Sequence, residues 1–231
     1  MHKILWTIAV VALAAAALYW YSLMPQSGFS LDAADRIASW DLPASHKDGG
    51  PLEKGVNEEI ARLNEHLEDD KTEPPDYQLY VGLANQYSLL GDGKRAYDYL
   101  QKALALDSDK TGLALHNMGI LLERLGANES AREALQRAVD VQPHIDAYHN
   151  SLIRFLMTHF GEDALAVSAA LDRAAAQFDD DTFVLQLKAE WHTERGAYAD
   201  AIATWEELKK TAPQDLVPAI ESEIEKLRGK L

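Results

Sequence analysis

The chain has 231 residues, 47% of them hydrophobic, and carries a formal net charge of −15. So acidic a surface is a poor match for nucleic acid, whose phosphates require basic groups. With no cysteine it can build neither disulfides nor thiolate chemistry.

In chain order, the first predicted element is Ile4 to Leu23, which contains no charged residue. At about 20 residues it is long enough to cross a ~30 Å hydrocarbon core. Lys3 precedes it and no Lys or Arg follows until Arg36. The positive-inside rule then predicts a single pass through a bacterial inner membrane, with the N-terminus cytoplasmic and the rest of the chain periplasmic. A cleaved signal peptide, with Ala15, Ala16 and Ala17 as its small-residue site, is the competing reading. Tyr19, Trp20 and Tyr21 favour an uncleaved anchor over residues 1–24, since aromatic side chains collect at membrane surfaces.

Residues 25–56 read as a flexible linker rich in Pro, Gly, Ser and Asp, broken at Gly49, Gly50 and Pro51. Leu31, Ala34, Ile37 and Trp40 have the spacing of one short amphipathic helix within it. Asn57 is then expected to cap a helix whose apolar stripe is Ile60, Leu63 and Leu67. That stripe is expected to cover the outer face of the first unit that follows.

From Tyr77 one pattern recurs about every 34 residues. Its first copy is Tyr80, Leu83, Ala84 and Tyr87, followed by Ala96, Leu100 and Ala103. The second is Leu115, Met118, Gly119 and Leu122, then Ala131, Leu135, Ala138 and Pro143. The fourth is Leu185 and Ala189, then Ala201, Trp205 and Pro213. Small residues let two helices approach, and large ones fill the space beside them. Gly91, Gly126 and Gly196 are placed to end the first helix of each pair in a left-handed conformation. The third copy is irregular. Tyr148, Leu152 and Phe155 keep its first helix in register, but the turn from Met157 to Gly161 reads as two residues too long. Ala166 and Ala170 are assigned to the small and large positions of its second helix. Leu216, Ile220, Ile224 and Leu227 predict a terminal helix over 214–229, one polar face outward, closing the stack.

These residues resemble the tetratricopeptide repeat, W-x2-L-G-x2-Y in one helix and A-x3-F in the next. The resemblance implies an all-α right-handed superhelix of helix pairs over 57–231. Its copies fall near 77–110, 112–144, 145–181 and 182–213. In that family the first helix of each pair lines an inner groove that holds a polypeptide. Carried over by position, the groove comprises Val81, Asn85, Ser88 and Leu89 in the first copy, and His116, Asn117, Ile120, Glu123 and Arg124 in the second. The third contributes His149, Asn150, Ile153, Leu156 and Met157, and the fourth Gln186 and Glu190. His116–Asn117 and His149–Asn150 recur one repeat apart. Asn side chains both donate to and accept from a peptide backbone, and Met157 offers an adaptable apolar contact. An equally good reading has both Asn bracing the fold.

Catalytic patterns are absent from the sequence: no phosphate-cradling glycine loop, no serine elbow and no His-Glu-x-x-His. Neither an enzyme activity nor a cofactor or metal is expected.

A narrower resemblance rests on Gly196 to Trp205, with Leu208, Pro213 and the acidic Ile-rich helix after it, and on Ile60 to Leu67 leading into Tyr77 to Asp107. These stretches are similar to the membrane-anchored tetratricopeptide accessory proteins of c-type cytochrome maturation. That resemblance implies a periplasmic chaperone or scaffold that holds the C-terminal helix of an apocytochrome c beside haem-lyase or other inner-membrane subunits. Longer members of that family have two spans, whereas one is predicted here. The alternative is a general envelope scaffold for outer-membrane assembly, secretion or division, with a different client.

Overall fold

The computed structural model describes residues 28–69, 75–106, 112–179 and 182–231. The predicted span Ile4 to Leu23 lies outside them, and among the described residues no helix is long and apolar enough to cross a membrane.

Ten helices follow one another among the described residues. α1 (Pro51–Glu68) leads into four pairs. These are α2 (Asp76–Leu89) with α3 (Gly93–Leu106), α4 (Leu113–Arg124) with α5 (Asn128–Val141), α6 (Asp146–His159) with α7 (Ala164–Phe178), and α8 (Thr182–Glu194) with α9 (Tyr198–Thr211). α10 (Val217–Arg228) ends the stack. Each helix packs mainly on its sequence neighbours.

The sequence pattern explains the pairing. Gly119 is so close to α5 that a Cβ there would lie 2.5 Å from the Leu135 Cγ. Ala84, Ala96, Ala131, Ala138, Ala189 and Ala201 are buried at the equivalent close approaches. The turns inside the first, second and fourth pairs place Gly91, Gly126 and Gly196 at φ 79°, 75° and 71°, a region where only glycine escapes a Cβ penalty.

The third pair departs from the sequence reading. Its turn is one residue longer than the others, not two, and holds no left-handed residue; Asp163 caps α7 by accepting from the Ala166 N–H. The buried row of α7 is Val167, Ala170, Leu171 and Ala174. Val167 and Leu171, not Ala166 and Ala170, therefore hold the small and large positions. The extra residue moves the helix on by one place.

Two apolar cores run along the stack. One extends from Phe29 to Trp191, and the other joins Leu185 and Ala189 to Trp205, Leu208, Ile220, Ile224 and Leu227. α8 faces both, with Val184, Leu187 and Trp191 in the first and Leu185 and Ala189 in the second.

The predicted linker is mostly a strap held on the stack. Phe29 is buried at 2% exposure and Leu42 at 7%. Gln101 accepts from the Phe29 N–H at 2.6 Å and donates back to its carbonyl, which Tyr97 also reaches at 3.1 Å. Trp40 packs on Tyr97, and the Gly93 N–H donates to the Trp40 carbonyl while the Leu42 N–H donates to Gly91. A Cβ at either glycine would meet a strap carbonyl at 2.6 Å, so both must be glycine for the strap to lie there. No helix forms over Leu31 to Trp40. α1 begins at Pro51, not after an Asn57 cap. Proline's fixed φ suits the first helical position, and the Asn57 amide instead donates to the Glu53 carbonyl inside the helix.

Candidate functional site

The first helices of the four pairs, α2, α4, α6 and α8, present a row of polar side chains that bond from one repeat to the next. The Asn117 amide donates to the Asn85 carbonyl oxygen at 3.1 Å, and the Arg124 guanidinium to the Ser88 hydroxyl at 2.6 Å. His116 Nε2 meets the Ser151 hydroxyl at 2.8 Å, and His159 Nε2 meets Glu123 at 2.9 Å. Arg154 bridges Asn150 at 2.9 Å and Glu190 at 3.0 Å, and Gln186 donates to the other oxygen of Glu190. This row defines the inner face.

At its N-terminal end lies a cavity of about 250 Å³ whose walls include Asn85, Ser88, His116, Asn117, Ile120 and Arg124, over a floor of Ala84, Ala96 and Leu100. Six residues named from the repeat pattern thus share one surface. Gln186 and Glu190 line a separate cavity of about 450 Å³ toward the C-terminus, with Trp205, Leu208 and Ile220 as its apolar wall. The indole N–H of that tryptophan is buried without an acceptor among the described residues.

Other residues named from the pattern lie elsewhere. Val81, His149, Ile153, Leu156 and Met157 are buried, at 9% exposure or less. Leu89 is half-buried, and the His46 N–H of the strap donates to its carbonyl. His149 donates from Nε2 to the Pro143 carbonyl at 2.9 Å and sets its ring edge-on to Phe178. It does not share a surface with His116. The reason is the register of α6, where Arg154 and Thr158 are exposed and Asn150 half-buried, each one place further along than Ile153, Met157 and His149 of the family spacing. Ser151, Arg154 and His159 were missed for the same reason. The one available signal was the 36-residue interval that links Arg154 to Glu190 and Glu123 to His159.

Electrostatically the face is held rather than vacant. Burial lowers the pKa of His116 below the ordinary histidine value, against a smaller opposite effect of the Asn117 side chain. Arg124 also reaches the Pro43 carbonyl of the strap at 3.3 Å. The cavity offers two amides, one hydroxyl and one guanidinium over an apolar floor, a set that suits a peptide backbone with mixed side chains.

Comparison with known proteins agrees with this architecture. Residues 77–143 match the tetratricopeptide repeat family model. No curated protein matches the sequence. Among solved structures, a tetratricopeptide repeat protein from Parabacteroides merdae is 16% identical with a TM-score of 0.61, over 78% of this chain and 70% of that one. MamA is 17% identical with a TM-score of 0.55, over 78% and 94%. YrrB, a tetratricopeptide repeat protein with an unusual peptide-binding site, is 18% identical with a TM-score of 0.53, over 74% and 85%. At these identities the likeness is one of fold. Repeat sequence over 77–143 and the helix-pair architecture from α2 to α9 converge on the tetratricopeptide repeat fold.

Proposed function

We propose that the chain is a binding scaffold that holds a segment of another polypeptide along its inner face. The observation that carries this reading is the cavity in which Asn85, Ser88, His116, Asn117, Ile120 and Arg124 come together over small apolar residues. Side-chain amides can satisfy backbone groups of any sequence, while the alanine floor leaves room for a side chain. The net charge of −15 favours a cationic client.

In its specific form, the client is the C-terminal helix of an apocytochrome c, and the scaffold works from a single-pass anchor on the periplasmic side of the inner membrane. Three features support that form: the similarity of Gly196 to Trp205 and of Ile60 to Leu67 to the accessory proteins of cytochrome maturation, the uncharged segment Ile4 to Leu23, and the acidic surface. Titrating the chain with C-terminal helical peptides of apocytochromes tests it. Binding in the low micromolar range that scrambling abolishes is expected. Equal binding of scrambled peptides would point instead to a scaffold with another envelope client. For location, a reporter fused after Leu231 is expected to be active in the periplasm; cytoplasmic activity would overturn the topology.

A further inference from the structure

The strap occupies a groove between second helices, and a similar groove recurs one repeat along, where among the described residues the strap reaches only its rim, at Asp32. Phe29 lies between α3 and α5. Gln101 of α3 grips its backbone through both N–H and carbonyl, and the Arg137 guanidinium of α5 stands 5.7 Å from its ring centroid. Advancing each position by one repeat, 35 residues for α3 to α5 and 36 for α5 to α7, turns Gln101 into Gln136 and Arg137 into Arg173. Gln136 and Arg173 both line a cavity of about 560 Å³ between α5 and α7. Its floor includes Leu152, Leu156 and Ala170.

We propose that this groove docks an extended segment of a partner protein carrying an aromatic side chain, held as Phe29 is held. The aromatic ring fills the apolar floor beside Arg173, and Gln136 takes the backbone as Gln101 does. In the present structure the Gln136 amide donates to Asp140 at 3.1 Å, an exposed contact that it can exchange for a peptide carbonyl. The rim carries Arg132, Arg137 and Arg173 against Asp32, Glu129 and Glu133, so charge does not choose the occupant. The ring and the backbone do.

One part of the strap's recognition is not repeated. Asp35 accepts from the Glu129 and Ser130 N–H groups and so caps α5, which has no side-chain cap of its own. The corresponding start of α7 is already capped by Asp163. The ligand therefore needs the aromatic residue but no acidic residue six places after it. This site is walled by the second helices α5 and α7 over a floor from α6, and it shares no lining residue with the inner-face cavity proposed above.

A fluorescent peptide of residues 28–35, Gly-Phe-Ser-Leu-Asp-Ala-Ala-Asp, is the probe, titrated against the full chain. One-to-one binding is expected, weakened about tenfold or more when the peptide's Phe is replaced by Ala, as for an aromatic anchor. Gln136→Ala is expected to weaken it severalfold, and Ala169→Trp, which fills the groove from an exposed position, to abolish it. Asn117→Ala on the inner face should leave it unchanged. No binding, or equal binding of the Phe→Ala peptide, would overturn the proposal. So would sensitivity to Gln101→Ala in place of Gln136→Ala, because the peptide would then be exchanging with the strap.

Discussion

His116 and His149 stand one pattern interval apart in successive repeats, yet one borders the inner cavity and the other is buried edge-on to Phe178. Burial is the main cause that lowers the pKa of both below the ordinary histidine value, as it does for His192. The unfolded chain protonates these rings near pH 6.5 while the folded chain resists. Stability is therefore complete above that pH and falls as pH drops through it. Melting temperature is expected to decline between pH 7 and pH 5, and the decline should shrink in a His116→Gln/His149→Gln variant. An unchanged slope would assign it to other groups. Gly119 provides a packing test. With Leu135 Cγ 2.5 Å from where a Cβ would sit, Gly119→Ala should destabilise by about 1–3 kcal/mol through overpacking, despite alanine's better helix propensity. Denaturant midpoints measure it. Gly119 was legible in the sequence because the repeat demands a small residue there. The fate of His149 was not, since it depends on a one-place rotation of α6 that no single residue announces.

At the scale of elements, the strap is the main addition to what could be read from the sequence. Its composition is that of a linker, and composition alone cannot reveal that its Trp40 carbonyl and Leu42 N–H pair with Gly93 and Gly91 across a repeat turn. Those pairings are long-range and leave no periodicity. Asp35 is the strap's strongest commitment, since it caps α5 from almost a hundred residues away. Asp35→Ala should cost about 1 kcal/mol, the usual worth of an N-cap, and should expose residues 28–46 to limited proteolysis at an increased rate. Proteolysis unchanged from the parent chain would show that Phe29 and Trp40 hold the strap unaided. Gly93→Ala should release it more fully, because the added Cβ meets the Trp40 carbonyl at 2.6 Å. The helix pairs, by contrast, were legible almost throughout. Their alternation of small and large residues is local, and the reading was displaced by the extra residue before α7 and by the one-place rotation of α6.

Taken whole, the molecule is a stack whose two cores meet at α8. The second core is the smaller, and among the described residues it is built from α8, α9 and α10. Amide exchange is expected to show α9 and α10 opening at lower free energy than α4 and α5, because fewer buried apolar contacts hold them. Uniform protection along the stack would argue for a single cooperative unit. The four-pair architecture and the cap follow from the repeat itself, but the location of the inner face depends on how the pairs rotate against one another. That is why Val81 of the first repeat and His149, Ile153, Leu156 and Met157 of the third are buried where the family spacing put them in the groove.

The central claim is that the inner face holds a polypeptide, and Asn117 tests it most directly. It bonds laterally to Asn85, lines the cavity and is partly exposed. In a titration with a C-terminal apocytochrome peptide, Asn117→Ala is expected to raise Kd about fivefold, the worth of roughly 1 kcal/mol of hydrogen bonding. The melting temperature should stay within a degree or so of the parent. Unchanged affinity, or a loss of stability in its place, would contradict the claim and leave Asn117 as a brace between repeats.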